Sequence, residues 1–352
     1  MSQQLLIDSI SYGGAGIGRL DGKVVFVPFT IPGERVVVRI VRQKKNFAEA
    51  ELLEVVEPSP IRQVPKCAVF GRCGGCAYQH VDYSTQLAWK TSQVAELLER
   101  VGRISQPPVL PALASPNAWA FRNRIRVHTS RGSTGFYSKH GHQIVDVENC
   151  AIASPEVNAQ LRRLREAPPV SGETSLAAKR DSRFFEQTND GAAEILVGLV
   201  EGSVGEGGGT LIDAYCGAGF FGHRLSPKFE RVLGIECHEG AVAKARREAH
   251  ANEHYICGDV SAHLGSALRE ADRARTCVLL DPPAAGVVAR VTDLLVAMPV
   301  QQLIYVSCDP ATLARDVGAL VRGGYRLERV TPVDMFPQTA DIEVVAELSG
   351  GA

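Results

Sequence analysis

Two residues near the end of the chain have the types that covalent chemistry on a base requires. Cys308 lies in Ser307-Cys308-Asp309-Pro310, after the apolar run Leu303 to Val306. A cysteine at the end of a buried strand is a nucleophile candidate. A free thiol with a pKa near ~8.5 is mostly protonated at neutral pH, so its surroundings must help it ionise. Asp281-Pro282-Pro283 closes another apolar run in the same manner. Glu343 lies in Asp341-Ile342-Glu343-Val344-Val345-Ala346-Glu347, with Ile342, Val344 and Ala346 on one face and Glu343 on the other. Alternation alone reads that position as a solvated carboxylate.

A second group could hold a nucleoside. Asp213-Ala214-Tyr215-Cys216-Gly217-Ala218-Gly219-Phe220-Phe221-Gly222 carries a GxGxxG string straight after a strand pattern. Glycines there let the backbone approach a nucleotide closely. Glu236 ends the next strand pattern, 19 residues beyond Gly217, where an acid accepts from ribose hydroxyls. The glycines do not separate NAD from S-adenosylmethionine. Cys67-x5-Cys73-x2-Cys76 is a third group, with spacing suited to thiolate coordination of zinc or an iron–sulfur centre. Cys150 is the nearest later cysteine outside the α/β segment and the natural fourth ligand. The x5 gap departs from the short first spacing of zinc ribbons, which favours a [4Fe–4S] cluster. Cys216, Cys237, Cys257 and Cys277 read as packing residues.

The elements that must carry these residues fall into three pieces. The chain has 352 residues, 45% hydrophobic and 22% charged, which excludes disorder as the main state and leaves room for two or three domains. Residues 1–57 read as a small β-barrel of the OB kind, with Val24 to Val27 and Val36 to Val41 as strands and Asp21-Gly22 as a hairpin turn. Residues 58–175 hold the cysteine group, a helix pattern from Tyr83 to Gly102, and Arg122, Arg124 and Arg126 alternating on one strand face. Pro168-Pro169 and Ser171-Gly172 mark the next boundary. Residues 176–352 alternate strand and helix patterns, predicting a doubly wound, Rossmann-like α/β sheet. Residues 1–150 carry a charge of +6 and residues 151–352 one of −7, a balance that fits an RNA-contacting front. No apolar run reaches the length of a membrane span, and the first residues lack the pattern of a secretory signal. A cytoplasmic monomer is expected.

Together the motifs resemble the RNA uracil-5-methyltransferases, which make 5-methyluridine in ribosomal and transfer RNA, and the resemblance covers nearly the whole chain. The first piece is similar to a TRAM domain. The resemblance makes Cys67, Cys73, Cys76 and Cys150 the ligands of a [4Fe–4S] cluster. Phe185-Glu186-Gln187-Thr188-Asn189 resembles the family's Phe-x-Gln-x-Asn element, which puts Gln187 at the active site among the cofactor contacts. By the same match Tyr215, Gly217, Gly219, Glu236 and Asp281 fall on S-adenosylmethionine positions and Asp259 on the adenine side. Tyr305 to Thr312 looks like the segment with the nucleophile, Cys308, and Met335 to Glu343 like the segment with the general base, Glu343. One departure stands out: Asp341 occupies the place, two residues before that glutamate, where the family usually has histidine.

The implied reaction is methylation of a uridine C5, with rRNA favoured over tRNA and a looped or single-stranded site as substrate. Arg122, Arg124 and Arg126 would help hold the RNA, although ordinary surface arginines are an equally good reading. Other readings stay open. Cytosine-5 or exocyclic-amine methylation would share the cofactor, and amine methylation needs neither Cys308 nor Glu343. A nicotinamide oxidoreductase would rest on GxGxxG alone. An inactive RNA-binding relative would keep the fold without turnover.

Overall fold

The computed structural model describes all residues except 1, 140, 179–186 and 352. It divides into two compact units, Met1–Gln93 with Pro116–Arg180 and Phe336–Asp341, and Val94–Ser115 with Asp181–Met335 and Ile342–Ala352.

The first unit begins with five strands, β1 (Ser2–Ile10), β2 (Ala15–Leu20), β3 (Lys23–Pro28), β4 (Arg35–Gln43) and β5 (Phe47–Glu57). They close into a barrel in the order β1-β2-β3-β5-β4. Alternation sends Leu5, Ile7, Val25, Val27, Val36, Val38, Ala48 and Ala50 inward, so the barrel is filled by its own side chains. The Asp21-Gly22 turn has positive φ at both central residues, +49° and +79°, as a tight hairpin turn requires. Gly18 of β2 is dictated by space, since a Cβ there would stand 2.5 Å from the Leu6 carbonyl oxygen.

The same unit holds a four-stranded antiparallel sheet in the order β8-β7-β6-β9. Its strands are β6 (Arg124–Ser130), β7 (Ser133–Tyr137), β8 (Ile144–Asp146) and β9 (Ser171–Ala177). Helix α2 (Pro155–Glu166) is capped by Ser154, whose side chain accepts from the Val157 N–H, and packs Val157 and Leu161 onto Ile125, Val127 and Leu176. Ser171-Gly172, read from sequence as a boundary, starts β9 instead. Its partner β6 supplies the ladder that polar local composition conceals. Helix α1 (Tyr83–Arg100) runs over the predicted span, and its Val94 and Leu98 lie in the core of the second unit.

The second unit is the doubly wound domain. After α3 (Asp190–Ser203) come β10 (Thr210–Ala214), α4 (Phe220–Leu225), β11 (Arg231–Glu236), α5 (Glu239–Glu248), β12 (Glu253–Cys257) and α6 (Val260–Glu270). Then follow β13 (Thr276–Leu280), α7 (Ala289–Ala297), β14 (Gln302–Ser307), α8 (Pro310–Arg322), β15 (Arg326–Val333) and β16 (Glu343–Ser349). The sheet order is β12-β11-β10-β13-β14-β16-β15. The first five strands are parallel, and β16 inserts antiparallel between β14 and β15. Ile212, Val278, Leu303, Leu264, Val291 and Val317 belong to one buried cluster spanning sheet and helices. Each such side chain contributes about 1.5–3 kcal/mol when fully buried. Parallel strands bring their carboxyl ends to one edge, and the reversed β16 delivers its first residue there. No helix among the described residues is long and apolar enough to cross a membrane.

Candidate active site

That edge gathers the reactive side chains. Cys308 follows the last residue of β14, and Glu343 opens β16. The antiparallel ladder pairs Ser307 with Val344 and Tyr305 with Ala346, so the next step of the register sets Cys308 opposite Glu343. Directly opposed residues lie ~4.5–5.5 Å apart at Cα and share a face. Asp281 follows β13, the other neighbour of β14, and its N–H donates to the Ala214 carbonyl at 3.3 Å.

Electrostatics couple the three. Cys308 is exposed, yet desolvation, followed by the charges of Glu343 and Asp281, pushes its thiol up to about 11. Glu343 is only 3% exposed. The solvated position read from alternation is therefore wrong, because β16 is interior to the sheet and every residue from Ile342 to Leu348 is buried. Burial, then Asp281, raises the Glu343 carboxyl well above the usual carboxylate range. Burial alone pushes Asp281 up to about 7. Removing a carboxylate from water disfavours its charged form, and neighbouring like charges add to the shift.

The glycine loop lies beside this group. Tyr215 adopts a left-handed backbone, φ +66°, costly for a non-glycine residue and characteristic of functional turns. Its N–H and that of Cys216 both donate to the Ile235 carbonyl, at 2.9 and 3.2 Å. Gly217 and Gly219 have φ of +53° and +86°, conformations that glycine takes without a Cβ penalty. Glu236 ties this loop to the next strand, accepting from the Gly217 N–H at 3.2 Å and the His238 N–H at 2.7 Å. Asp259, exposed, caps α6 by accepting from the Ser261 N–H at 2.8 Å. Of the Phe-x-Gln-x-Asn element, Phe185 and Glu186 lie outside the described residues. Asn189, two residues beyond Gln187, caps α3 and donates to Ser115 Oγ at 3.0 Å and the Met335 carbonyl at 3.1 Å.

Cys67, Cys73, Cys76 and Cys150 line one cavity of about 180 Å³ in the first unit. Among the described residues, no three His, Cys, Asp or Glu side chains are placed to hold a single metal ion. Desolvation raises the Cys73 and Cys150 thiols, and Cys76 up to about 12. Arg122 lies in the same wall, its buried Nε without a hydrogen-bond partner. A cation with an unused donor beside four thiols suits an anionic thiolate-bound group, so the residues fit such a centre.

A family model described as a TRAM domain matches residues 2–53, and one described as tRNA (Uracil-5-)-methyltransferase matches residues 267–349. An RNA methyltransferase of Thermosynechococcus vestitus is 31% identical over 98% of this chain and 97% of its own. Another, from Nostoc sp., is 30% identical over 98% and 95%. The chain belongs to the S-adenosylmethionine-dependent RNA uracil-5-methyltransferases. The crystal structure of Pyrococcus abyssi tRNA (uracil-54, C5)-methyltransferase with S-adenosyl-L-homocysteine superposes with a TM-score of 0.74 at 25% identity, covering 98% of this chain and 100% of that one.

Two further sequence readings need correction in this methyltransferase. Cys237 and Cys257 are exposed rather than packed, because each lies where its strand meets the open edge. Arg122 precedes β6, so only Arg124 and Arg126 lie on the strand, and Arg122 lines the thiol cavity together with Arg126. The sequence reading also missed Asp316 of α8. This buried carboxylate accepts from Tyr305 Oη at 2.8 Å and the Val287 N–H at 3.0 Å, anchoring the loop that leads away from Asp281. Its place on the inner face of an amphipathic helix was the available signal.

Proposed function

We propose that the enzyme methylates C5 of a uridine in RNA through a covalent adduct, with Cys308 as nucleophile and Glu343 as general base. The observation that carries this reading is the register setting Cys308 opposite the buried Glu343 at the edge shared with the glycine loop. Uracil C5 is a poor nucleophile toward a methyl sulfonium. Cys308 thiolate would add to C6, leaving an enolate whose electron pair sits at C5. S-adenosylmethionine supplies the electrophilic methyl and leaves as S-adenosylhomocysteine. Glu343 would then take the C5 proton, and elimination would restore the double bond and expel Cys308. A positioned base contributes ~10²- to 10⁴-fold. Gln187 and Asp281 would orient the uracil edge and the cofactor. Tyr215, Gly217, Gly219 and Glu236 would hold the ribose and methionine side, with Asp259 toward adenine. The base must leave its stack, at a cost of a few kcal/mol that is smallest in a loop.

Cys67, Cys73, Cys76 and Cys150 would hold a [4Fe–4S] cluster, with Arg122 donating toward it. The barrel together with such a cluster favours rRNA, and tRNA is the second arm of the test because the Pyrococcus abyssi enzyme acts on it. The experiment is nucleoside mass spectrometry on unmodified rRNA and tRNA incubated with S-adenosylmethionine and iron-reconstituted protein, wild type and Cys308→Ala. 5-Methyluridine from the wild type alone is expected, and the responding RNA identifies the substrate class. 5-Methylcytidine or a methylated amine would overturn the uracil assignment. RNA carrying 5-fluorouridine should trap a denaturation-resistant adduct, since C5 then has no proton for Glu343 to remove. Its absence would overturn the covalent step.

A further inference from the structure

We propose that the outer face of the β6–β7 sheet is a stacking platform for one unpaired base of the RNA, with Tyr137 as the ring that receives it. The proposal rests on the RNA reading above and places a contact in the first unit, on residues that take no part in the chemistry. Strand β6 alternates strictly: Ile125, Val127 and Thr129 are buried, while Arg124, Arg126 and His128 face outward. The β6–β7 register pairs His128 with Gly135 and Thr129 with Thr134, which sets Tyr137 beside Arg126 on that outer face. The Tyr137 ring stacks on His128, with centroids 3.9 Å apart and planes inclined by 23°. His142 meets it edge-on at 5.3 Å. Tyr137 nevertheless remains 40% exposed. A half-exposed aromatic backed by a second ring, with arginine alongside, has the make-up of a single-strand nucleic-acid platform.

Charge favours the same occupant. Arg126 pairs at 3.1 Å with Glu173 of β9, and both side chains are at least half exposed. Exposed pairs of this kind are weak, so a phosphate can take the guanidinium. The backbone that carries the ring is also held in place, because the Gly74 N–H of the cysteine loop donates to the Tyr137 carbonyl at 3.0 Å and the Ser138 N–H donates to the Gln143 carbonyl at 2.8 Å, while His128 and His142 contact the ring itself. A pre-fixed ring loses little entropy when a base settles on it.

The test is anisotropy titration of a short unstructured RNA oligonucleotide with the full-length protein, at several salt concentrations and without methyl donor. Tyr137→Ala should weaken binding by about five- to a hundredfold with an unchanged salt slope, as loss of one stacked base does. Tyr137→Phe and Tyr137→Trp should bind like wild type. Arg126→Ala should weaken binding and reduce the salt slope by about one. Wild-type affinity in Tyr137→Ala, or equal weakening in Tyr137→Phe and Tyr137→Trp, would overturn the platform. Oligonucleotide binding by the wild type without methylation of any RNA would instead count against the proposed reaction and leave the platform standing.

Discussion

Replacing Glu343 with Gln tests the proposed division between nucleophile and base, because thiol reactivity and turnover should move in opposite directions. For a charge separation of ~5 Å, of the order of the Cα and Cβ spacing of an opposed pair, an ionised Glu343 and a Cys308 thiolate would repel by about 3 kcal/mol at an effective dielectric constant near 20. Cys308 is exposed, and solvent screening cuts that to about half, or roughly tenfold in thiolate fraction. The repulsion exists only where Glu343 is charged, and its carboxyl is raised well above the usual range. Wherever Glu343 keeps its proton, a protonated glutamate and a glutamine are equivalent neighbours, and the two enzymes should have equal thiol reactivity. As pH rises and Glu343 ionises, Glu343→Gln should pull ahead, reaching about a tenfold faster alkylation. The assay is the rate of Cys308 carbamidomethylation by iodoacetamide from pH 6 to 10, read by peptide mass spectrometry. Turnover in the same variant should fall by ~10²- to 10⁴-fold as the base is lost. Slower alkylation in Glu343→Gln at every pH would mean that Glu343 draws the thiol proton rather than repelling the thiolate. The division of roles argued above would then fail.

Two further outcomes concern stability. Burial, and next to it Asp281, pushes Asp213 up to about 8, while its Oδ2 accepts from the Gly222 N–H at 2.9 Å. Below pH ~4 both folded and unfolded forms keep that proton; between there and about 8 only the folded form does, so stability falls as pH rises through this window. Asp213→Asn keeps an acceptor for Gly222 and should flatten the decline, which thermal melts from pH 4 to 9 would show; an unchanged profile would count against it. Glu34, fully buried, accepts from Arg62 Nη2 at 2.7 Å, the Ile31 N–H at 2.9 Å and the Ser59 N–H at 3.1 Å. Glu34→Ala strands a cation and two donors and should cost about 3–5 kcal/mol in urea unfolding. A loss below 1 kcal/mol would contradict that view of the pair.

Local pattern carried much of this molecule. The strand limits of β11 coincide with the apolar run Arg231 to Glu236, because a central parallel strand must be hydrophobic along its whole length. Hairpin chemistry at Asp21-Gly22 and the helix from Tyr83 were legible for similar local reasons. Glu343 was not legible from alternation, because whether the second face of β16 meets water depends on its insertion between β14 and β15. Nothing within seven residues encodes that insertion. Family resemblance supplied its candidacy, and the register supplied its neighbour. The four-stranded sheet was also hidden, since β9 is Ser-, Gly- and Thr-rich and becomes a strand only by pairing with β6. The exposed Cys237 and Cys257 show the converse error, because residue type alone reads cysteine as buried.

The reversed strand also resolves a conflict within the proposed chemistry. Adding a thiolate to C6 calls for little negative charge near Cys308, whereas removing the C5 proton later calls for a charged acceptor in the same place. A carboxylate in water would be ionised throughout and would oppose the first step. Glu343 sits at the sheet edge yet is buried, and the raised Asp281 lies beyond β14. Both hold protons at pH values where exposed carboxylates have lost them, which spares the thiolate. Once Cys308 is bonded to C6 it is a neutral thioether, and the like charge that opposed ionisation of Glu343 from that side is gone. The base would then be free to ionise at the step that needs it. An antiparallel strand at the end of a parallel sheet is what allows one buried acid to meet one exposed thiol there.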